Sequence, residues 1–263
     1  MKTFLKILFG IGAVLLLINI AGLFKTMRNP ELYEENRTGR LNDITIEYPE
    51  INEMLLKKPD ESNREFAIRL NKIVSKGMIH YWRDPAIDKY HLRVPIWENY
   101  MLFAASYIKP DRYLKYEFTN YRKNLERGLG VCSTHSTVVK GVLNEHGIEA
   151  ELWDIAGHVV VTAQVSENES IILDPDYGIF VPYDIEAIES DPEITRASYA
   201  SMHELYKPEY DDPYTTDIVV DLYGKEGNHT YVIDHWFEHF SYVAIWVLPF
   251  LFMLPGIFLF NKK

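Results

Sequence analysis

Charge is confined to the middle of this chain. Residues 1–24 and 241–263 contain no Asp or Glu, and the segment between them holds all 38 acids with 23 of the 27 bases, a net −15 against −11 for the whole. Phe4 to Phe24 is broken only by Lys6 and Asn19, and Ser241 to Phe260 carries no charge. Each stretch is close to the ~20 apolar residues that a helix needs to cross a bilayer. Lys2 and Lys6 give the first a basic start, as in a cleaved secretion signal, but Asn19-Ile20-Ala21-Gly22-Leu23-Phe24 offers no clear cleavage site, so a retained signal anchor is expected. The second carries Pro249 and Pro255 and has a buried core helix as its alternative. Trp236, Phe237, Tyr242 and Trp246 leading in, and Lys262-Lys263 leading out, favour interfacial anchoring instead. Two spans place both termini on one side and the acidic middle on the other. Lys2, Lys6, Lys262 and Lys263 favour cytoplasmic termini, Lys25, Arg28, Arg37 and Arg40 count against them, and the expectation is an extracytoplasmic middle.

Composition narrows the chemistry. A net charge of −11 argues against nucleic acid, which is bound through a basic face that releases counterions. At 47% hydrophobic and 14% aromatic residues, the chain has the makings of an ordered core rather than of disorder. Cys132 is the only cysteine, so neither an internal disulfide nor a multi-cysteine zinc site is available. It is either a small buried hydrophobe or a thiol kept for its reactivity.

Local signals divide the middle. Residues 25–127 read as a helical part. Ser62 and Glu65 have capping-box spacing ahead of Phe66, Leu70, Ile73, Gly77 and Tyr81, Val94 to Ile108 reads as a second helix, and Pro110 opens a run to Arg127 that Gly128 stops. Core packing is the expected role of the many aromatics there. Residues 128–183 differ in texture. A glycine-punctuated loop, Gly128-Leu129-Gly130-Val131-Cys132, leads into a helix over Ser133 to His146, so Cys132 falls at a helix N-terminus. Unpaired N–H groups and the positive dipole end favour a thiolate there and can hold an oxyanion.

Strands are expected at Ile148 to Ile155, Gly157 to Gln164 and Asn168 to Asp174. If Val165-Ser166-Glu167 form the turn, Val161 pairs with Ile171, Val160 with Ile172 and Val159 with Leu173, which puts His158 directly opposite Asp174 at a Cβ separation of about 5 Å. A longer turn pairs His158 with Gly178 and loses the contact. In the first register Cys132, His158 and Asp174 make a set: a nucleophile, a base that later protonates the leaving amine, and a carboxylate that orients the imidazole.

Gly130-Val131-Cys132, Leu143 to Ala150, Gly157-His158 and Leu173 to Gly178 together resemble the core of the transglutaminase-like superfamily. The resemblance covers about 128–183. It implies an α+β fold of papain-like kind, with helices packed on an antiparallel sheet, here flanked by transmembrane helices at 4–24 and 241–260, and with 184–240 as a C-terminal extension of the domain. It also implies thiol acyl chemistry on amides, either hydrolysis or transamidation, by the triad Cys132, His158 and Asp174. Many members carry an aromatic after the cysteine and another after the histidine, where this chain has Ser133, Val159 and Val160. A membrane-anchored cysteine peptidase or amidase is the expectation, with a protein or peptide substrate near the membrane or envelope, the lipid bilayer as the other partner, and no cofactor or metal. A tethered peptide-binding or scaffold module without turnover is the alternative. Tyr113, Tyr116, Asn120 and Asn124 are candidates for an upstream oxyanion donor. His135 lies one turn past Cys132 but has no carboxylate assigned to it. His235 and His239, with Asp234, Glu238 and His229, have partial metal-ligand spacing, and Asp174-Pro175-Asp176 falls short of the ligands that calcium takes.

Overall fold

The structure is a computed structural model that describes residues 2–33, 44–202 and 215–260; Arg37, Arg40, Lys262 and Lys263 of the charge count lie outside them. The protein is a mixture of helix and antiparallel sheet, with an apolar helix at each end of the chain. It divides into two compact units, one formed by residues 28–82 and 120–233, the other by 1–27, 83–119 and 234–263.

The first unit holds a short parallel pair, β1 (Ile79–His80) with β2 (Leu129–Gly130). It also holds a five-stranded antiparallel sheet of β3 (Ala150–Ile155), β4 (His158–Ser166), β5 (Glu169–Asp174), β6 (Ile179–Val181) and β7 (His229–Tyr231), ordered β6-β5-β4-β3-β7. Alternation along the strands fills both faces. Val159, Val161, Ile171 and Leu173 pack with Phe66, Leu70 and Val74 and with Val138, Val139 and Val142, the apolar positions of helices Asn63–Gly77 and Cys132–Glu145. Val160 and Ile172 face Ile188, Tyr199, Val219 and Tyr223. Apolar residues on successive positions of one strand are what a sheet covered on both sides requires.

Helix Asn63–Gly77 begins with the expected capping box: Ser62 accepts from the Glu65 N–H, and the Glu65 carboxylate accepts from the Ser62 N–H at 2.9 Å. It does not reach Tyr81, because the chain turns into β1 at Ile79. The helix expected from Val94 is only Tyr100–Ile108, since Asn99 caps it by accepting from the N–H groups of Met101 and Leu102 at 3.1 Å. The run from Pro110 breaks into Pro110–Tyr113 and Tyr121–Arg127; Asn120 caps the second piece, and Gly128 closes it in the left-handed region at φ 79°.

Arg28 joins two of these helix ends. Its guanidinium donates to the carbonyls of Gly77 (3.1 Å), Leu125 (2.7 Å) and Glu126 (3.1 Å), acceptors from the final turns of Asn63–Gly77 and Tyr121–Arg127. Such carbonyls have no partner within their own helix, and a cation complements the negative dipole end. The side chain is buried, lies over the Tyr33 and Tyr48 rings, and fills the space where Gly128 would carry a Cβ. Thus a residue that the sequence presents as juxtamembrane charge is a structural clamp.

In the second unit, helices Lys2–Gly22 and Trp236–Phe260 run antiparallel. Gly12 lies against Pro249, Phe252 and Met253, and Gly256 lies against Phe9, close approaches that only a residue without a side chain permits. Asn19 Nδ2 donates to Ile245 O at 2.6 Å. Both helices are long and apolar enough to cross a membrane.

Replacing Arg28 by Met removes the donors from two buried carbonyls and one part-buried carbonyl and is expected to destabilise the first unit by about 2–4 kcal/mol. Thermal unfolding of the detergent-solubilised protein measures this, and an unchanged midpoint contradicts the clamp.

Candidate active site

Helix Cys132–Glu145 starts at Cys132, after Val131 in extended conformation. The entry is fixed on two sides: β2 carries Gly130 beside His80, and Ser136 Oγ donates to Val159 O at 2.8 Å, tying the first turns of the helix to the start of β4. Gly130 is required for the approach, since a Cβ there would meet Thr134 Cβ at 2.3 Å. The Thr134 hydroxyl in turn accepts from the Val131 N–H.

His158 is the first residue of β4, delivered by a two-residue turn in which Ala156 (φ 55°) and Gly157 (φ 100°) are both left-handed, as a tight hairpin requires. The Gly157 N–H donates to Asp154 Oδ1 at 2.6 Å and holds the turn. Asp174 is the last residue of β5, so the two side chains lie at the same end of the sheet.

The register that joins them differs from the expected one. Val161 pairs with Leu173 and Thr162 with Ile172, not with Ile171 and Ser170. The hairpin turns on Glu167-Asn168, and a bulge between Gln164 and Ser166, where Gln164 Nε2 donates to Ser166 O at 2.6 Å, absorbs the extra residue. Continued to the end, this register puts Val160 opposite Asp174 and leaves His158 diagonal to it. The side chains still share a face, because the offset is two residues, and a diagonal pair is within reach of an imidazole. His158 Nε2 lies 2.8 Å from Asp174 Oδ2. Cys132 neighbours His158 closely enough to act on the charge of its ring, whose Nε2 is committed to Asp174.

Both members of the His158–Asp174 pair are buried. Burial alone disfavours a charged imidazole, but the charge and hydrogen bond of Asp174, joined by those of Cys132, outweigh it and hold the His158 pKa well above its ordinary value. Asp174 has two further donors: Tyr199 OH at 3.0 Å, itself 3.1 Å from Tyr223 OH, and the Asp176 N–H at 3.2 Å. Burial and the nearby Asp174 charge push the Tyr199 phenol far above its usual pKa, so it stays a donor. Neither tyrosine was a candidate in the sequence, where no local pattern connects residues 199 and 223 to residue 174.

Asp176 serves a second pair. His80 Nδ1 is 2.8 Å from Asp176 Oδ2, and the His80 and His135 rings stack with centroids 6.5 Å apart. His135 therefore does have a carboxylate near it, with Asp176 Oδ1 3.7 Å from Nδ1, although the Val131 carbonyl at 2.9 Å is the nearer partner. The two acids of Asp174-Pro175-Asp176 are each turned to a histidine rather than to a common centre. Of the suggested oxyanion donors, Asn120 caps helix Tyr121–Arg127, its Oδ1 accepting from the Arg122 N–H. Tyr113 and Tyr116 belong to the other unit, where Tyr116 OH donates to Glu238 at 3.0 Å. Among the described residues no group of three or more His, Cys, Asp or Glu side chains is placed to hold a metal. Of the residues with partial metal spacing, Glu238 accepts from Tyr116 and from the Thr119 N–H, and His229 Nδ1 lies 2.8 Å from Gly227 O.

The raised His158 pKa has a definite sign. A folded pKa above the unfolded value of about 6.5 means that the pair stabilises the fold fully below that pH and loses this contribution as pH rises through the folded value. In an NMR titration the His158 ring should remain imidazolium through neutral pH, and Asp174→Asn should bring its titration down. A wild-type ring that titrates at or below the ordinary value contradicts this electrostatic arrangement.

Comparison with known protein families, with curated proteins and with solved structures finds no match to this chain.

Proposed function

We propose that this protein is a membrane-anchored cysteine enzyme of transglutaminase-like kind that performs acyl chemistry on amide bonds, with peptide or amide hydrolysis as its reaction. The observation that carries this reading is the convergence of the chain's one cysteine, at a helix start, with a buried histidine that is held by a buried carboxylate. An inert core cysteine needs no such neighbour, and strongly perturbed imidazole–carboxylate pairs cluster at functional sites.

In the proposed reaction the Cys132 thiolate attacks the amide carbonyl, forming the S–C bond while the carbonyl oxygen takes up negative charge. N–H groups of the first helical turn, which have no intrahelical acceptor, face that charge. Collapse of the intermediate breaks the C–N bond, and His158 gives its proton to the departing amine. A water molecule then attacks the thioester, His158 takes the proton, and the acid leaves as the thiolate is restored. Asp174, held by Tyr199, keeps the imidazole in one orientation through both halves. An amine in place of water gives transamidation by the same steps. The apolar helices at the chain ends anchor the domain at a bilayer with the acidic middle outside the cytoplasm, which directs it to protein or peptide substrates at the membrane or envelope.

Iodoacetamide tests the activated thiol. Cys132 should alkylate at pH 7 at least about tenfold faster than an ordinary thiol, and His158→Ala should remove that advantage. Equal rates in the two proteins, both at the value of a simple thiol, favour the tethered scaffold module without turnover.

A further inference from the structure

Helix Tyr100–Ile108 reads as inside out. It carries no charged residue, its one polar side chain apart from the tyrosines, Ser106, is buried at 2% exposure, and Leu102 is buried beside it. Its outward side is apolar: Tyr107 is 62% and Ile108 77% exposed, Ala104 is exposed, and Ile96 just before the helix is 42% exposed. An apolar outer face on a helix that buries its serine is unsuited to water.

The neighbours of this segment state its depth. The apolar helix Lys2–Gly22 has 21 residues and at 1.5 Å per residue is about as long as the hydrocarbon core is thick, so Gly22 marks one boundary. Gly22 abuts the segment directly, because a Cβ there would lie 2.1 Å from Trp97 O. On the opposite helix, Asn99 Nδ2 donates to Ser241 Oγ at 2.8 Å, Tyr242 OH donates to Glu98 Oε1 at 2.6 Å, and Tyr100 OH donates to Ile245 O at 3.0 Å. Ile245 O is the same carbonyl that Asn19 reaches from the first helix. Residues 97–100 are therefore fastened to both apolar helices at the level where they leave the hydrocarbon.

We infer that Ile96 to Ile108 is a membrane-interface element, lying in the headgroup region of the bilayer with Tyr107, Ile108 and Ala104 against the acyl boundary. The rest of the local chemistry fits a lipid surface. Lys109 and Arg112 follow directly and suit anionic headgroups, and Arg93 donates to Tyr107 OH while its guanidinium lies 4.5 Å from the centre of the Tyr107 ring, an aromatic-and-basic pairing suited to that depth. The element broadens the contact beyond two crossing helices, and it rests on the membrane anchoring proposed above, not on the thiol chemistry.

The test uses the full chain with Cys132→Ser, reconstituted in vesicles of phosphatidylcholine and phosphatidylglycerol, and one environment-sensitive fluorophore placed in turn at Ile108→Cys, Leu17→Cys and Glu167→Cys. Leu17 is an outward residue of the first apolar helix and Glu167 lies at the β4–β5 turn. The inference expects the Ile108 probe to be blue-shifted, quenched by lipid carrying a nitroxide near the carbonyl, and quenched by aqueous iodide to about a third or less of the Glu167 value. An Ile108 probe that behaves like Glu167, while Leu17 is quenched by lipid, overturns the interfacial placement and leaves the anchoring intact. If Leu17 also escapes lipid quenching, the anchoring fails and the inference with it.

Discussion

The arrangement depends on one buried negative charge. Asp174 is fully enclosed, and a carboxylate removed from water must find donors or give up its charge. It finds three, from His158, Tyr199 and the Asp176 backbone, and each comes from a different part of the first unit. The need to satisfy this group orders the end of the sheet: β4 must begin at His158, the Asp174-Pro175-Asp176 turn must fold back on itself, and residues 196–199 must cover the far face. The same charge offsets the penalty for a charged imidazole. The imidazole is then set beside the only thiol in the chain.

Much of this was legible from the sequence, though not always for the right reason. Helix Asn63–Gly77 announced itself through Ser62 and Glu65, and Cys132 at a helix start followed from the glycines before it and the valines after it. The meeting of His158 with Asp174 was expected from a register with the wrong turn. It survives because side chains repeat every two residues along a strand, so a two-residue offset keeps the pair on one face. The bulge beside Gln164 that sets the true register has no mark in the local pattern, which is alternately apolar and polar under either pairing.

What the sequence hid is long-range. Tyr199 reaches Asp174 with Tyr223 behind it, and His80 meets Asp176 only because β1 runs beside β2 ahead of Cys132. Arg28 reads as one more basic residue near an apolar end, but its fork satisfies the final turns of two helices that the sequence separates by about 50 residues. The helices expected from Val94 and from Pro110 were too long, because Asn99 and Asn120 each cap a new start within an aromatic run that looks continuous. In each case composition supplied the element and a particular hydrogen bond drew its boundary.

The central claim is that Cys132 is a nucleophile served by His158. Mass spectrometry of the intact protein after exposure to an activated peptide thioester or ester measures it directly. The account predicts an acyl adduct that maps to Cys132, is released by hydroxylamine, decays in water in the wild-type protein, and forms far more slowly in His158→Ala. The absence of any adduct at Cys132, or an adduct that forms and decays equally fast without His158, would contradict it.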